Sequence, residues 1–130
     1  MIAKNIYEML QDVCARNKDS IFFVRQNETY AELLKKVKQR AVLLKQRFKI
    51  KKGDTVMLVL KRHYQFWFCM LALHKIGAIA IPATNQLVEH DFDYRYKAAR
   101  VKAIVCTADG DVSQEAEKAA ANPARRPGAA

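Results

Sequence analysis

A chain of 130 residues is long enough for one domain or part of a larger one, and 51% apolar residues exclude a wholly disordered polar segment. With 23 Lys and Arg against 13 Asp and Glu, the formal charge of +10 leaves nucleic acid, anionic lipid and phosphorylated ligands open as partners. Cys14, Cys69 and Cys106 are odd in number and form no C-x-x-C pair, which excludes a disulfide framework or a zinc knuckle and points to small apolar residues in a reducing compartment.

In chain order, Ile6, Met9, Leu10 and Val13 recur at helical spacing and predict a short amphipathic helix. Ile21-Phe22-Phe23-Val24 is β-branched and aromatic and predicts a strand, followed by a turn at Asn27-Glu28. Thr29-Tyr30-Ala31-Glu32 has the capping-box pattern, with Thr29 as N-cap and Glu32 three residues on. The helix that follows aligns Leu33, Val37, Ala41, Leu44 and Phe48 on one face, and Lys35, Lys36, Lys38, Arg40, Lys45 and Arg47 on the other.

Lys52-Gly53-Asp54 is a turn, and Val56 to Leu60 is a continuous apolar run of the kind found in parallel sheets. Tyr64 to Ile76 is apolar on nearly every side and predicts a buried helix, closed by Gly77 as a C-cap glycine. Ala78 to Ile81 is the next strand, stopped by Pro82, which completes a βαβ unit. Glu89 to Val101 predicts a helix, with Glu89, Asp91 and Asp93 at its positive end. Ala103 to Cys106 predicts a third strand, and Asp111 or Ser113 a cap for a last helix running to about Ala121. Asn122 to Ala130 carries two prolines, a glycine and no branched apolar or aromatic residue, so it is expected to lie outside the fold.

Candidate chemistry is sparse. The four glycines are too far apart to form a phosphate cradle, which needs backbone N–H groups converging at a glycine-rich turn. His63, His74 and His90 lie on three segments without ligand spacing. Asp91 and Asp93 point in different directions on one helix. Asp109 and Asp111 flank Gly110 as turn residues, and neither Ser20 nor Ser113 sits in a nucleophile elbow. The basic stretch from Lys35 to Lys52 lacks interleaved aromatics, which favours a solvated helix face over a nucleic-acid footprint. The N-terminus has no apolar signal core, and Phe66 to Leu73 is too short to span a membrane, so the cytoplasm is the expected location.

Three segments carry a family resemblance: Thr29-Tyr30-Ala31-Glu32-Leu33, Lys52-Gly53-Asp54-Thr55-Val56, and Ala72 to Pro82. Their order resembles the "T-Y-x-E-L", "G-D-x-V" and "A-x-x-x-x-G-A-x-x-x-P" steps in the N-terminal region of the adenylate-forming acyl-CoA synthetases. Pro82-Ala83-Thr84-Asn85-Gln86-Leu87, Asp91 to Arg95 and Lys102 to Val105 narrow the likeness to the medium-chain branch, which has "P-G-T-x-Q" and "D-I-x-Y-R" steps.

The resemblance implies an α/β fold: a truncated parallel βαβ layer of the family's large N-terminal domain, spanning residues 1–121. It implies a longer enzyme that uses ATP and Mg2+ to turn a small carboxylic acid into an acyl-adenylate, which CoA then attacks. The family's phosphate loop and C-terminal lysine have no counterpart in this stretch, so the chain alone is expected to be inactive and to bind these cofactors poorly. A frameshift or truncation would explain the tail. The one carried-over contact is Gln86, at the position of the glutamine that lies near CoA in the medium-chain branch. Ala83 stands there in place of glycine, a change that matters if the backbone needs positive φ. The rival readings are a small basic nucleic-acid-binding module and a stand-alone α/β interaction domain. With later segments missing, the Val56–Leu60 strand and the Tyr64–Ile76 helix are expected to be exposed and to drive self-association.

Overall fold

The computed structural model describes residues 5–23, 25–61, 63–108 and 110–121. They form two compact units, one within residues 5–52 and 67–78 and the other within residues 53–66 and 79–121.

The first unit holds α1 (Ile6–Asn17), the antiparallel pair β1 (Ile21–Phe23) and β2 (Glu28–Thr29), α2 (Tyr30–Gln46), and most of α3 (Gln65–Ile76). Asn5 caps α1, accepting from the Glu8 N–H at 3.0 Å. Thr29 caps α2 as its sequence predicts, its Oγ1 accepting from the Glu32 N–H at 3.2 Å. Leu33, Val37, Ala41 and Leu44 are buried along one face of α2. Phe48 departs from the predicted stripe and is 52% exposed. The helix ends at Gln46, Lys49 turns the chain with φ 55°, and Ile50 is buried instead.

Glu28 is a second departure. Asn27, with φ 51°, makes the turn, whereas Glu28 begins β2 and is buried. The Lys36 ammonium pairs with its carboxylate and also lies 5.3 Å from the Phe68 ring centroid. A buried carboxylate needs such a partner, because an uncompensated charge away from water is costly. Gly77, at φ 85°, ends α3: its own N–H and that of Ala78 both return to the Leu73 carbonyl at 3.0 Å. That left-handed position is where glycine escapes the Cβ penalty.

The second unit is a three-stranded parallel sheet in the order β4 (Ile79–Pro82), β3 (Thr55–Val59), β5 (Val101–Cys106), with α4 (Glu89–Ala99) and α5 (Val112–Ala121). Met57 sits between Ile81 and Ile104 in register. One core joins Met57 and Val59 of β3, Leu87, Phe92 of α4, Val101 of β5, and Val112, Ala116 and Ala119 of α5. The predicted helix end at Val101 is corrected here. Arg100 takes a left-handed conformation (φ 50°, ψ 49°) that stops α4 without glycine, so Val101 opens β5 and is buried. The expectation of an uncovered central strand is corrected too, since every residue from Val56 to Leu60 is buried within this chain.

Tyr96 ties α4 to α5, its hydroxyl donating to the Ala116 carbonyl at 3.2 Å. Burial first, and the neighbouring Cys106 second, push its phenol up to about 12. A raised folded-state value gives stability that is complete below the unfolded value and fades as pH rises through the folded one. Unfolding free energy should therefore fall between about pH 10 and 12. Tyr96→Phe should flatten that decline in denaturation curves taken across the range; an unchanged slope would count against it.

Candidate ligand pocket at the carboxyl end of the sheet

The order β4-β3-β5 means that the chain leaves β3 for one flank and returns to the other. In open parallel sheets, ligands bind outside the carboxyl ends of the strands at such a switch point. A cavity of about 320 Å³ lies there, lined by Lys61 after β3, Asn85 to Val88 after β4, and Gly110 to Val112 with Glu115 after β5. That volume is at the lower end for small-molecule pockets, enough for part of a large cofactor.

Each wall has a local cause. Pro82 ends β4, and the Ala83 N–H continues the ladder to the Leu58 carbonyl at 2.9 Å. The non-glycine residues with positive φ among the described residues are Asn27, Lys49, Lys61 and Arg100. Ala83 is not one of them, so its Cβ brings no strain, and the side chain packs against the core. Thr84 Oγ1 accepts from the Gln86 N–H at 3.3 Å, shaping the turn that leaves the Gln86 side chain exposed. Leu87 is the buried anchor of this loop.

Lys61 has φ 52°, a conformation that costs a non-glycine residue on the order of 1 kcal/mol and tends to mark functional loops. Its ammonium lies 4.0 Å from where a Cβ on Gly110 would stand. On the opposite wall, Glu115 of α5 accepts from the Glu89 N–H at 2.9 Å and from the Lys118 ammonium at 2.8 Å. The Lys118 hydrogen bond and then the backbone one hold the Glu115 carboxyl below its usual range, and Glu115 in turn raises Lys118. The carboxylate thereby satisfies an orphan N–H at the positive end of α4. Asp91 does the same for Val88, accepting from its N–H at 3.1 Å; Val88 has no side-chain acceptor to reciprocate.

Of the residues singled out from sequence, Gln86 and Asp111 line the pocket. Asp109 lies outside the described residues. Asp91 caps α4 while Asp93 pairs with Lys97 at 3.5 Å, so the two serve separate purposes. His63, His74 and His90 are not gathered; His90 sits 3.3 Å from Asp91. Lys61, Asn85 and Glu115 were missed, although the strand-end rule applied to the Val56–Leu60 run would have flagged Lys61.

The lining is polar: the amides of Asn85 and Gln86 and the Lys61 ammonium share it with the carboxylates of Asp111 and Glu115, the latter engaged with Lys118 and the Glu89 N–H. Among the described residues no three His, Cys, Asp or Glu could hold a metal, and Gly53, Gly77 and Gly110 serve separate turns.

Fold and pocket define an open parallel-sheet α/β protein with a cavity at the carboxyl end of its strands. Residues 10–128 match the family model "AMP-binding enzyme", and the chain belongs to that family. It is 39% identical over 77 residues to the rat acyl-coenzyme A synthetase ACSM5, mitochondrial, covering 59% of this chain and 13% of the relative. The human acyl-coenzyme A synthetase ACSM2A, mitochondrial, is 33% identical over 91 residues, or 70% of this chain and 15% of the relative. A solved fatty acyl CoA synthetase from Mycobacterium tuberculosis superposes with a TM-score of 0.84 at 23% identity, over 97% of this chain and 25% of that one, which shows the fold. The chain thus spans about an eighth of the length of the first of these relatives. The matches favour the ligase reading over a nucleic-acid-binding or free-standing interaction module.

Proposed function

We propose that this chain is a portion of an ATP-dependent, AMP-forming acid–CoA ligase and that its own contribution is part of the CoA site. The carrying observation is the placement of Gln86 in a carboxyl-end pocket of an AMP-binding family fold. A carboxylate is a poor electrophile, and ATP supplies the leaving group that makes it reactive. This chain's residues act on the other substrate: Asn85 and Gln86 offer amide donors and acceptors, Lys61 offers a cation, and the Leu87 anchor keeps the loop in place.

Assayed alone with acid, ATP, Mg2+ and CoA, the chain should release no AMP. Expressed together with its flanking coding sequence, it should release AMP in an acid-dependent manner. In that longer protein, Gln86→Ala should raise the KM for CoA about tenfold, the loss of one or two hydrogen bonds, and leave the KM for ATP nearly unchanged. Turnover by the short chain, or an equal effect on both substrates, would contradict this.

A boundary after Ala121 is proposed on the composition change at Asn122, although the family match reaches residue 128. No helix among the described residues is long and apolar enough to cross a membrane. Cys14, Cys69 and Cys106 are free thiols, which suits a reducing compartment. The cytoplasm is the proposed one, and the word "mitochondrial" in the relatives' names makes the organelle the alternative that cell fractionation would separate. Self-association is proposed through exposed Trp67, at 47%, and Ile79 on edge strand β4, at 53%. Sedimentation should show concentration-dependent association that Ile79→Lys weakens; a monomer at every concentration would refute it.

A further inference from the structure

The first unit contains a cavity unconnected with Gln86. It is about 500 Å³, opens between α1 and α2, and has three ammonium groups and no carboxylate among its lining residues. Its floor is buried Cys14 and half-buried Leu34, exposed Gln11, Ala15 and Ala31 stand around them, and its rim carries Lys18 from the end of α1 with Lys35 and Lys38 from α2. Lys35 and Lys38, three residues apart, share a face of the helix. None of the three lysines has a carboxylate partner among the described residues, whereas Lys36 between them is engaged with Glu28 and Phe68. Cys14 donates to the Tyr30 carbonyl at 3.3 Å, and burial raises its thiol, so the floor stays neutral near pH 7.

We infer that this cavity binds a soluble amphiphile with an anionic head group, the head held by Lys18, Lys35 and Lys38 and the apolar portion lying on Cys14, Ala31 and Leu34. Charge complementarity carries the assignment: three like charges around an apolar hollow repel one another, and an anion relieves that repulsion. A neutral apolar ligand would leave it in place. A nucleic acid would find too little stacking surface here, since no aromatic residue lines the cavity.

The probe is octanoate, titrated into the isotope-labelled chain while backbone amide shifts are followed, with octanol and octylammonium as matched controls. Octanoate should shift the amides of Cys14, Ala31, Leu34, Lys35 and Lys38 saturably, with octanol weaker and octylammonium without effect. The double variant Lys35→Gln/Lys38→Gln should weaken octanoate at least about fivefold, two partly exposed charge contacts' worth. Lys45→Gln/Arg47→Gln, which removes the same charge elsewhere on the same stretch, should change it less than about twofold. Shifts confined to other residues, equal loss in both double variants, or equal binding of octanol would overturn the inference. So would binding to phosphatidylglycerol vesicles with none to free octanoate, which would make the groove a lipid-surface contact.

Discussion

Phe92→Ala is expected to cost about 3–5 kcal/mol in urea or guanidinium denaturation, the range for deleting a fully buried aromatic ring. Phe92 has no exposed surface and lies in the core formed by β3, β5, α4, α5 and Leu87. Its ring centroid is 6.0 Å from that of Tyr96, which holds α5 through the Ala116 carbonyl. Removal therefore opens a cavity and loosens the first turns of α4 beneath the Gln86 loop. Small domains have about 5–15 kcal/mol in total, so the loss is a third or more of what such a domain near the middle of that range has. Phe92→Leu, which refills most of the volume, should cost less than half as much. A loss below about 1 kcal/mol for the alanine variant would show that the core is not packed as described.

In the first unit, Leu33→Ala should cost about 2–5 kcal/mol. Leu33 is fully buried in the first turn of α2, directly after the Thr29 cap. The control is Val42→Ala on the same helix. Val42 is 51% exposed, and its replacement should stay within about 0.5 kcal/mol. Comparable losses at the two positions, by the same denaturation measurement, would mean that α2 does not present the described face.

Much of this architecture was legible because local chemistry and the global fold agree. Thr29 caps α2 because a hydroxyl three residues before a free N–H fits wherever it occurs, and Gly77 ends α3 because positive φ suits glycine. The apolar run at Val56 predicted a parallel strand, and that is what β3 is. Misreadings fell where tertiary packing overrides local preference. Arg100 takes a left-handed conformation that its own residue type does not favour, which hid the start of β5. Glu28 is buried only because Lys36, eight residues away, supplies the opposite charge. In the pocket, Gln86 was reached through a family resemblance. Lys61 could have been reached from the end of the Val56–Leu60 run, whereas Glu115 depends on a helix-to-helix hydrogen bond that one-dimensional spacing does not carry.

The most direct test of the central claim is a pair of backbone-amide titrations on this chain, one with CoA and one with ATP and Mg2+. CoA should bind weakly yet shift Asn85, Gln86, Leu87, Gly110 and Asp111 saturably, Gln86→Ala should weaken that response about tenfold, and ATP with Mg2+ should leave those amides in place. Shifts produced equally by ATP, or CoA shifts unaffected by Gln86→Ala, would contradict the assignment of this pocket to CoA.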